Sequence, residues 1–183
     1  MPGAKKNIIE LTRTDVTSYR KAEKLPLRVM ADNVRSMQNV GALFRTSDSF
    51  MVEELILSGI TGCPPHPQIS KSALGAEESV KWRHVENASE EVMRLKKEGW
   101  KIYVLEQTFG SIPMQDLAVD KSEKALLIVG NEVEGVAQEI VNMADVALEI
   151  PMHGIKHSLN VSVSAGIAIW EFYVRMVKHM KFQ

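Results

Sequence analysis

ALLIVGNEVEG, residues 125–135, opens on five consecutive apolar side chains and closes on a loop in which Gly130 and Gly135 bracket two glutamates. A strand with one wet face alternates apolar and polar residues. This run does not alternate, so it reads as a strand buried on both faces, the condition of a parallel strand covered by helices on either side. Working outward, KIYVLE (101–106) and VALEIP (146–151) read as further strands, and so do LRVMAD (27–32) and ELILSG (54–59). Helical patterns separate them: a polar, basic stretch around Asp15–Lys24, a helix after Asn39, one over Ser89–Glu98 and a long one over 158–179. Between these lie a Pro-rich loop, GCPPHP, and a mixed segment over 70–83. Strands alternating with helices of this length predict an α/β domain, a mostly parallel sheet flanked by helices.

The 183 residues, 45% hydrophobic and 25% charged, suit one globular domain with a sizeable core. No apolar run is long enough to span a bilayer, and the charged start MPGAKKNIIELTRTD lacks a secretion signal, so the expected location is cytoplasmic, with no membrane partner. The single cysteine, Cys63, has no internal disulfide partner. The net charge of −1 hides an asymmetry. Residues 1–28 carry seven Lys/Arg against three Asp/Glu, residues 171–183 three against one, and the middle twelve against nineteen. Basic ends on an acidic body suit a polyanion such as RNA held at the edge of the molecule, and solvated helix faces explain the same pattern equally well.

In parallel sheets, ligands bind beyond the carboxyl ends of the strands, so chemistry is sought at the strand-to-loop junctions. Three stand out: NVRSMQNVGALFRTSDSF (33–50), VGNEVEG (129–135) and IPMHGIKHSLNVSVSAG (150–166). In the first, Asn39 is placed to cap a helix whose apolar positions are Val40, Leu43 and Phe44, and Arg45 is placed to pair with Asp48 or Ser49 on its surface. In the second, Gly130 and Gly135 match neither the dinucleotide nor the triphosphate fingerprint, and Glu132 and Glu134 would repel a phosphate. A neutral or cationic ligand suits the loop better; alternatively, the glutamates offset the dipole of the helix that follows. In the third, Pro151 and Gly154 enforce a loop before Ser158 or Asn160 starts the last helix. His153 with His157, and Cys63 with His66, are too sparse for a metal site, and none is predicted. The last helix is apolar around most of its circumference, with small residues Ser162, Ser164, Ala165 and Gly166, so a second copy is expected to cover part of it in a closed homodimer.

Taken together, N-x-x-x-x-x-R-T at Asn39–Thr46, the VGNEVEG loop and IPM-x-G…SLNVSVSAG resemble, in order, spacing and strand context, the three motifs of the SpoU (TrmH-like) RNA ribose 2′-O-methyltransferases of the SPOUT superfamily. The likeness runs from about residue 27 to 175; SVSAG stands where SVAAG is more usual, and HGIKH is a variable segment. It implies a single SPOUT methyltransferase domain over 1–183, with a basic extension at 1–26, a catalytic core at 27–175 and a basic tail at 176–183. It further implies a C-terminal trefoil knot, S-adenosyl-L-methionine as cofactor, and an RNA substrate, tRNA favoured and the same reaction on ribosomal RNA the alternative. Carried over by motif, the cofactor contacts are Leu105, Gly130, Ile150, Met152 and Leu159, and the catalytic set is Arg45 with Asn39, Glu132, Ser158 and Asn160. The family mechanism often makes the matching arginine the base. A guanidinium, with a pKa above about 12, keeps its proton, so the expectation for Arg45 is stabilisation of the forming ribose oxyanion or capture of a substrate phosphate. Two alternatives stay open: a non-catalytic module that binds cofactor or RNA, and a small-molecule enzyme indifferent to RNA.

Overall fold

The computed structural model describes Gly3 and residues 14–177. In chain order the elements are α1 (Val16–Lys21), β1 (Leu25–Asp32), α2 (Met37–Ser49), β2 (Val52–Ser58), α3 (Pro67–Ala73), α4 (Ala76–Ser79), β3 (Trp82–Val85), α5 (Ala88–Lys97), β4 (Lys101–Leu105), β5 (Ile112–Pro113), β6 (Ala125–Val129), α6 (Gln138–Met143), β7 (Val146–Glu149) and α7 (Val161–Val177). The strands form one seven-stranded sheet in the order β3-β2-β1-β6-β4-β7-β5, and every pairing is parallel.

ALLIV is β6, third from neither edge but central, hydrogen-bonded to β1 on one side and β4 on the other. Its side chains divide between two cores, as the pleat of a strand demands. Ala125, Leu127 and Val129 join Val40, Leu43 and Phe44 of α2 and Ile169 and Phe172 of α7 on one face. Leu126 and Ile128 meet Val92 and Leu95 of α5 and Ile140 of α6 on the other. Burying one such large aliphatic side chain is worth about 1.5–3 kcal/mol, which is why a polar residue at Leu126, Leu127, Ile128 or Val129 would oppose the fold.

The mixed segment over 70–83 resolves into the end of α3, the short α4 and the start of β3. The last helix starts at Val161, three residues later than expected. Its apolar residues divide by face. Val161, Ala165, Ala168, Ile169, Phe172, Met176 and Val177 are buried, whereas Val163, Ile167 and Trp170 are exposed, with Leu159 just ahead of the helix. Trp170 stacks on Tyr173, and both rings meet Phe50.

Part of the basic N-terminal region is spent within the fold. Arg20 donates to the Glu78 carbonyl, the Lys24 ammonium lies 3.2 Å from the centre of the Tyr19 ring, and Arg28 pairs with Glu53 and Glu54. Lys5, Lys6, Arg13 and the tail after Val177 lie outside the described residues.

Candidate active site

The loops leaving β4, β6 and β7 at their carboxyl ends enclose a cavity of about 480 Å³, within the usual range for small-ligand sites. Eight of the ten residues singled out from the sequence line it: Leu105, Gly130, Glu132, Ile150, Met152, Ser158, Leu159 and Asn160. Asn39 stands one hydrogen bond behind the wall, and Arg45 is not part of the lining.

Two glycines shape the β6 loop. The Asn131 and Gly135 backbones exchange N–H···O=C bonds of 3.0 Å each, which folds the loop back on itself. A Cβ on Gly130 would lie 2.1 Å from the Gly135 carbonyl carbon, so no side chain fits there. Gly135 has φ +70°, and a Cβ on it would strike the Glu106 carboxylate at 2.2 Å. That carboxylate accepts from the Val136 amide (3.1 Å), tying the end of β4 to the loop. Asn131 orders the loop from inside: its Oδ1 accepts from the Val133 and Glu134 amides, and its Nδ2 donates to the Asn33 carbonyl.

Asn39 and Glu132 act differently from the sequence expectation. The cap of α2 is Ser36, whose Oγ accepts from the Asn39 amide at 3.3 Å; Asn39 is already inside the first turn and 9% exposed. Its side chain is thereby released for a longer reach. Nδ2 donates to Glu132 Oε1 (2.9 Å), and Oδ1 accepts from Asn160 Nδ2 (3.1 Å). Asn160 in turn caps α7, its Oδ1 accepting from the Ser162 amide at 2.9 Å. Since a carboxylate only accepts, this chain of bonds fixes which end of each amide is oxygen and which is nitrogen.

Glu132 does not serve the helix that follows it, α6, whose first turn carries Glu139 instead. It serves α2, accepting from the Arg35 and Ser36 amides at 3.0 Å each, where the helix dipole also favours a negative charge. Partial burial pushes its carboxyl up, and these amides together with Asn39 outweigh that, holding it below the usual glutamate range.

Arg45 lies six residues beyond Asn39, about 9 Å along the α2 axis, and is exposed. The expected pairing with Asp48 or Ser49 is not made. Asp48 accepts from Ser79 Oγ, and Ser49 Oγ bonds to the Arg45 carbonyl. Among the described residues no hydrogen bond or ion pair engages its guanidinium, which leaves the charge available to an incoming anion.

The lining sorts into an apolar wall (Leu105, Val129, Leu148, Ile150, Met152, Leu159, Val161) and an acidic and amide wall (Glu106, Asn131, Glu132, Glu134, Asn160). No arginine, lysine or histidine lines it among the described residues. Such a donor set fits an organic ligand that carries a positive charge beside an apolar group. Among the described residues no three His, Cys, Asp or Glu side chains converge to hold a metal ion, and no helix is long and apolar enough to cross a membrane. Glu106 was not singled out from the sequence, although its place, immediately after the apolar run of β4, is the signal that marks a ligand-facing position.

Residues 26–170 match the model of the SpoU rRNA Methylase family. The chain belongs to that family. It is 34% identical over 151 residues to the tRNA (guanosine(18)-2'-O)-methyltransferase of Aquifex aeolicus (strain VF5), an alignment that covers 79% of this chain and 67% of that enzyme. The chain thus spans about two thirds of the length of that SpoU relative. The crystal structure of the A. aeolicus TrmH/SpoU tRNA modifying enzyme superposes with a TM-score of 0.76 at 32% identity, over 87% of this chain and 79% of that one. The SpoU methyltransferase AviRb from Streptomyces viridochromogenes, solved in complex with the cofactor AdoMet, shares the fold at a TM-score of 0.75 and 23% identity, over 87% and 64% of the two chains.

Proposed function

We propose that this chain transfers a methyl group from S-adenosyl-L-methionine to a ribose 2′-hydroxyl of RNA, with tRNA the favoured substrate. The observation that carries the reading is the Glu132–Asn39–Asn160 chain of hydrogen bonds, which joins all three family motifs at the rim of a cavity whose lining suits a cationic, partly apolar ligand. The cofactor, when bound, supplies an electrophilic methyl group on a sulfonium. Leu105, Gly130, Ile150, Met152 and Leu159 would hold it by apolar packing and backbone contact, and the acidic wall tolerates its charge.

The remaining residues act on the RNA side. Glu132 and Asn39 lock the start of α2 to the β6 loop, and Asn160 locks the start of α7 to Asn39. Positioning of this kind accounts for much of the acceleration of an in-line displacement. Ser158, on the cavity wall, offers a hydroxyl to the ribose. Arg45, exposed and with its guanidinium engaged by no partner among the described residues, takes a substrate phosphate or steadies the charge that develops on the 2′-oxygen as it loses its proton.

Residues 27–175 form the catalytic core in this reading. The segment after β7 threads a trefoil knot, which is supported by the insertion of β6 between β1 and β4 and by the Gln107 to His157 bond (2.7 Å) that clasps the segment against the β4 loop. The working form is a cytoplasmic homodimer. Its support is the uncovered stripe Val163, Ile167 and Trp170, since apolar side chains repeated along one helix face call for a partner.

The deciding experiment is methyl transfer from labelled S-adenosylmethionine to unmodified bulk tRNA and, separately, to ribosomal RNA, with nucleoside mass analysis. A 2′-O-methylnucleoside is expected in the tRNA. Arg45→Ala should lower the rate about 100- to 1,000-fold, the usual effect of removing one oxyanion donor, with cofactor affinity unchanged. A product in ribosomal RNA alone would move the substrate, in keeping with the family's description. Cofactor binding without transfer to either RNA would make the chain a binding module.

A further inference from the structure

Three loops meet at the mouth of the cavity, and each displays an apolar side chain to solvent. Phe109, after β4, is fully exposed; Ile155, after β7, is 92% exposed and Val133, after β6, is 79% exposed. Val133 lines the cavity itself. Phe109 follows Gln107 by two residues and Ile155 follows Met152 by three, and both of those residues line it. The bond from Gln107 Nε2 to the His157 carbonyl fastens the first loop to the third.

Phe109 is not at the tip of a loose loop. The Thr108 amide donates to Ser111 Oγ (3.3 Å), the Ser111 amide donates back to the Thr108 carbonyl (3.2 Å), and the Ser111 hydroxyl donates to Glu149 (2.8 Å), itself a lining residue. A single exposed apolar residue needs no explanation, but an aromatic ring held out by a braced turn, with two further exposed apolar side chains on the other loops that line the same cavity, does.

Charge decides what fits over it. The lining carries four carboxylates, Glu106, Glu132, Glu134 and Glu149, and no cation among the described residues, so a phosphate is disfavoured inside the cavity, and Lys156, beside Ile155 on the third loop, is a cation outside the lining. The uncharged part of an RNA is the face of a base, and single-stranded RNA is commonly held by stacking its bases on aromatic rings. We infer that Phe109 is a stacking platform for a nucleobase of the substrate RNA, adjoining the target ribose, with Val133 and Ile155 as the apolar edges of the same seat. The inference rests on the methyltransferase reading above and adds where the substrate's base lies.

The test compares Phe109→Ala and Phe109→Trp with the unaltered chain, using an unmodified tRNA pool as the probe. It measures RNA affinity at several salt concentrations, cofactor affinity and sedimentation. Phe109→Ala should weaken RNA binding by about 5- to 150-fold, the equivalent of one stacked base at ~1–3 kcal/mol. The slope of log affinity against log salt should not change, since no phosphate contact is lost. Phe109→Trp should restore the affinity and add an indole emission that RNA quenches. Unaltered RNA affinity in Phe109→Ala would overturn the inference. So would a change in sedimentation, which would put the ring against a second copy of the chain, or a parallel loss of cofactor affinity, which would put it in the cofactor site. If the unaltered chain neither binds nor methylates RNA, the methyltransferase reading fails and the inference with it; a null result confined to Phe109→Ala removes the stacking contact alone.

Discussion

Glu54 and Glu132 are both carboxylates taken partly or wholly out of water, and the protein balances them in opposite ways. Glu54, on β2, is 2% exposed and ringed by cations: Arg28 Nε at 3.4 Å, Lys81 Nζ at 3.2 Å and Arg83 Nε at 3.4 Å. The ring extends outward, because Arg28 also pairs with Glu53 and lies over Trp100, and Glu91 receives Arg83 and Arg94. Glu132, at the cavity, is within ion-pair range of no cation among the described residues, and is held by two main-chain amides and the Asn39 side chain. Cations neutralise a charge with latitude in geometry. Amides fix a carboxylate in one direction and add no positive charge to a cavity whose lining suits a cationic ligand. The first arrangement holds the sheet edge together; the second sets the shape of a site.

The largest expected effect tests the cationic cluster. Arg28→Ala leaves Glu54 buried with two of its three partners and should lower the unfolding free energy by about 3 kcal/mol, read by denaturant melts. Cofactor affinity, measured where the variant is still folded, should be unchanged. A loss of affinity without a loss of stability would undo the division between the two regions.

The next effect is smaller and turns on charge. Asn39→Asp places a second carboxylate against Glu132 and should cost about 2 kcal/mol at neutral pH, more than Asn39→Ala at about 1 kcal/mol. Facing carboxylates raise the pKa of a shared proton in the folded state, so Asn39→Asp should regain stability as pH falls and Asn39→Ala should not. Parallel pH profiles for the two variants would mean that Asn39 does not face Glu132 in solution.

The smallest effect is the acid limb itself. The folded pKa of Glu132 is depressed below its ordinary value of 4.5, so its contribution is complete above that pH and is lost as pH falls through the folded value. Glu132→Gln should lower the neutral plateau by about 1 kcal/mol and flatten the decline below pH ~4.5. An acid limb as steep as that of the unaltered chain would place the responsible carboxylate elsewhere.

Much of the fold was legible because its strands are buried on both faces. The unbroken apolar run of β6 announced a central parallel strand, and LRVMAD and KIYVLE took their places beside it. β3, at four residues, and β5, at two, are too short to show a period. The site was legible to the extent that chemistry follows local position: the loops after β6 and β7 were marked by glycine, proline and acidic residues, and they do line the cavity. What local position cannot reveal is a partner far along the chain. Asn39 looked like a helix cap because caps are local, and Ser36, one residue before the helix and equally suited to the task, holds that place. Glu132 looked like the neighbour of the helix after it and is instead bonded to residues more than ninety positions earlier.

Those distances in sequence carry a consequence for how the molecule comes into being. Asn39 bonds to Glu132 across 93 residues and to Asn160 across 121. Contacts of such separation form late and slowly, because the intervening chain must close as a loop before they return any energy. During synthesis β1, α2 and β2 leave the ribosome well before β6, and α7 comes after all of the strands. Asn39 must therefore wait, its amide solvated, for both of its partners. Catalytic competence then becomes a report on completed folding: a chain arrested before its last helix would have every strand and most of the residues that line the cavity, but not the helix whose start Asn160 caps and ties to Asn39.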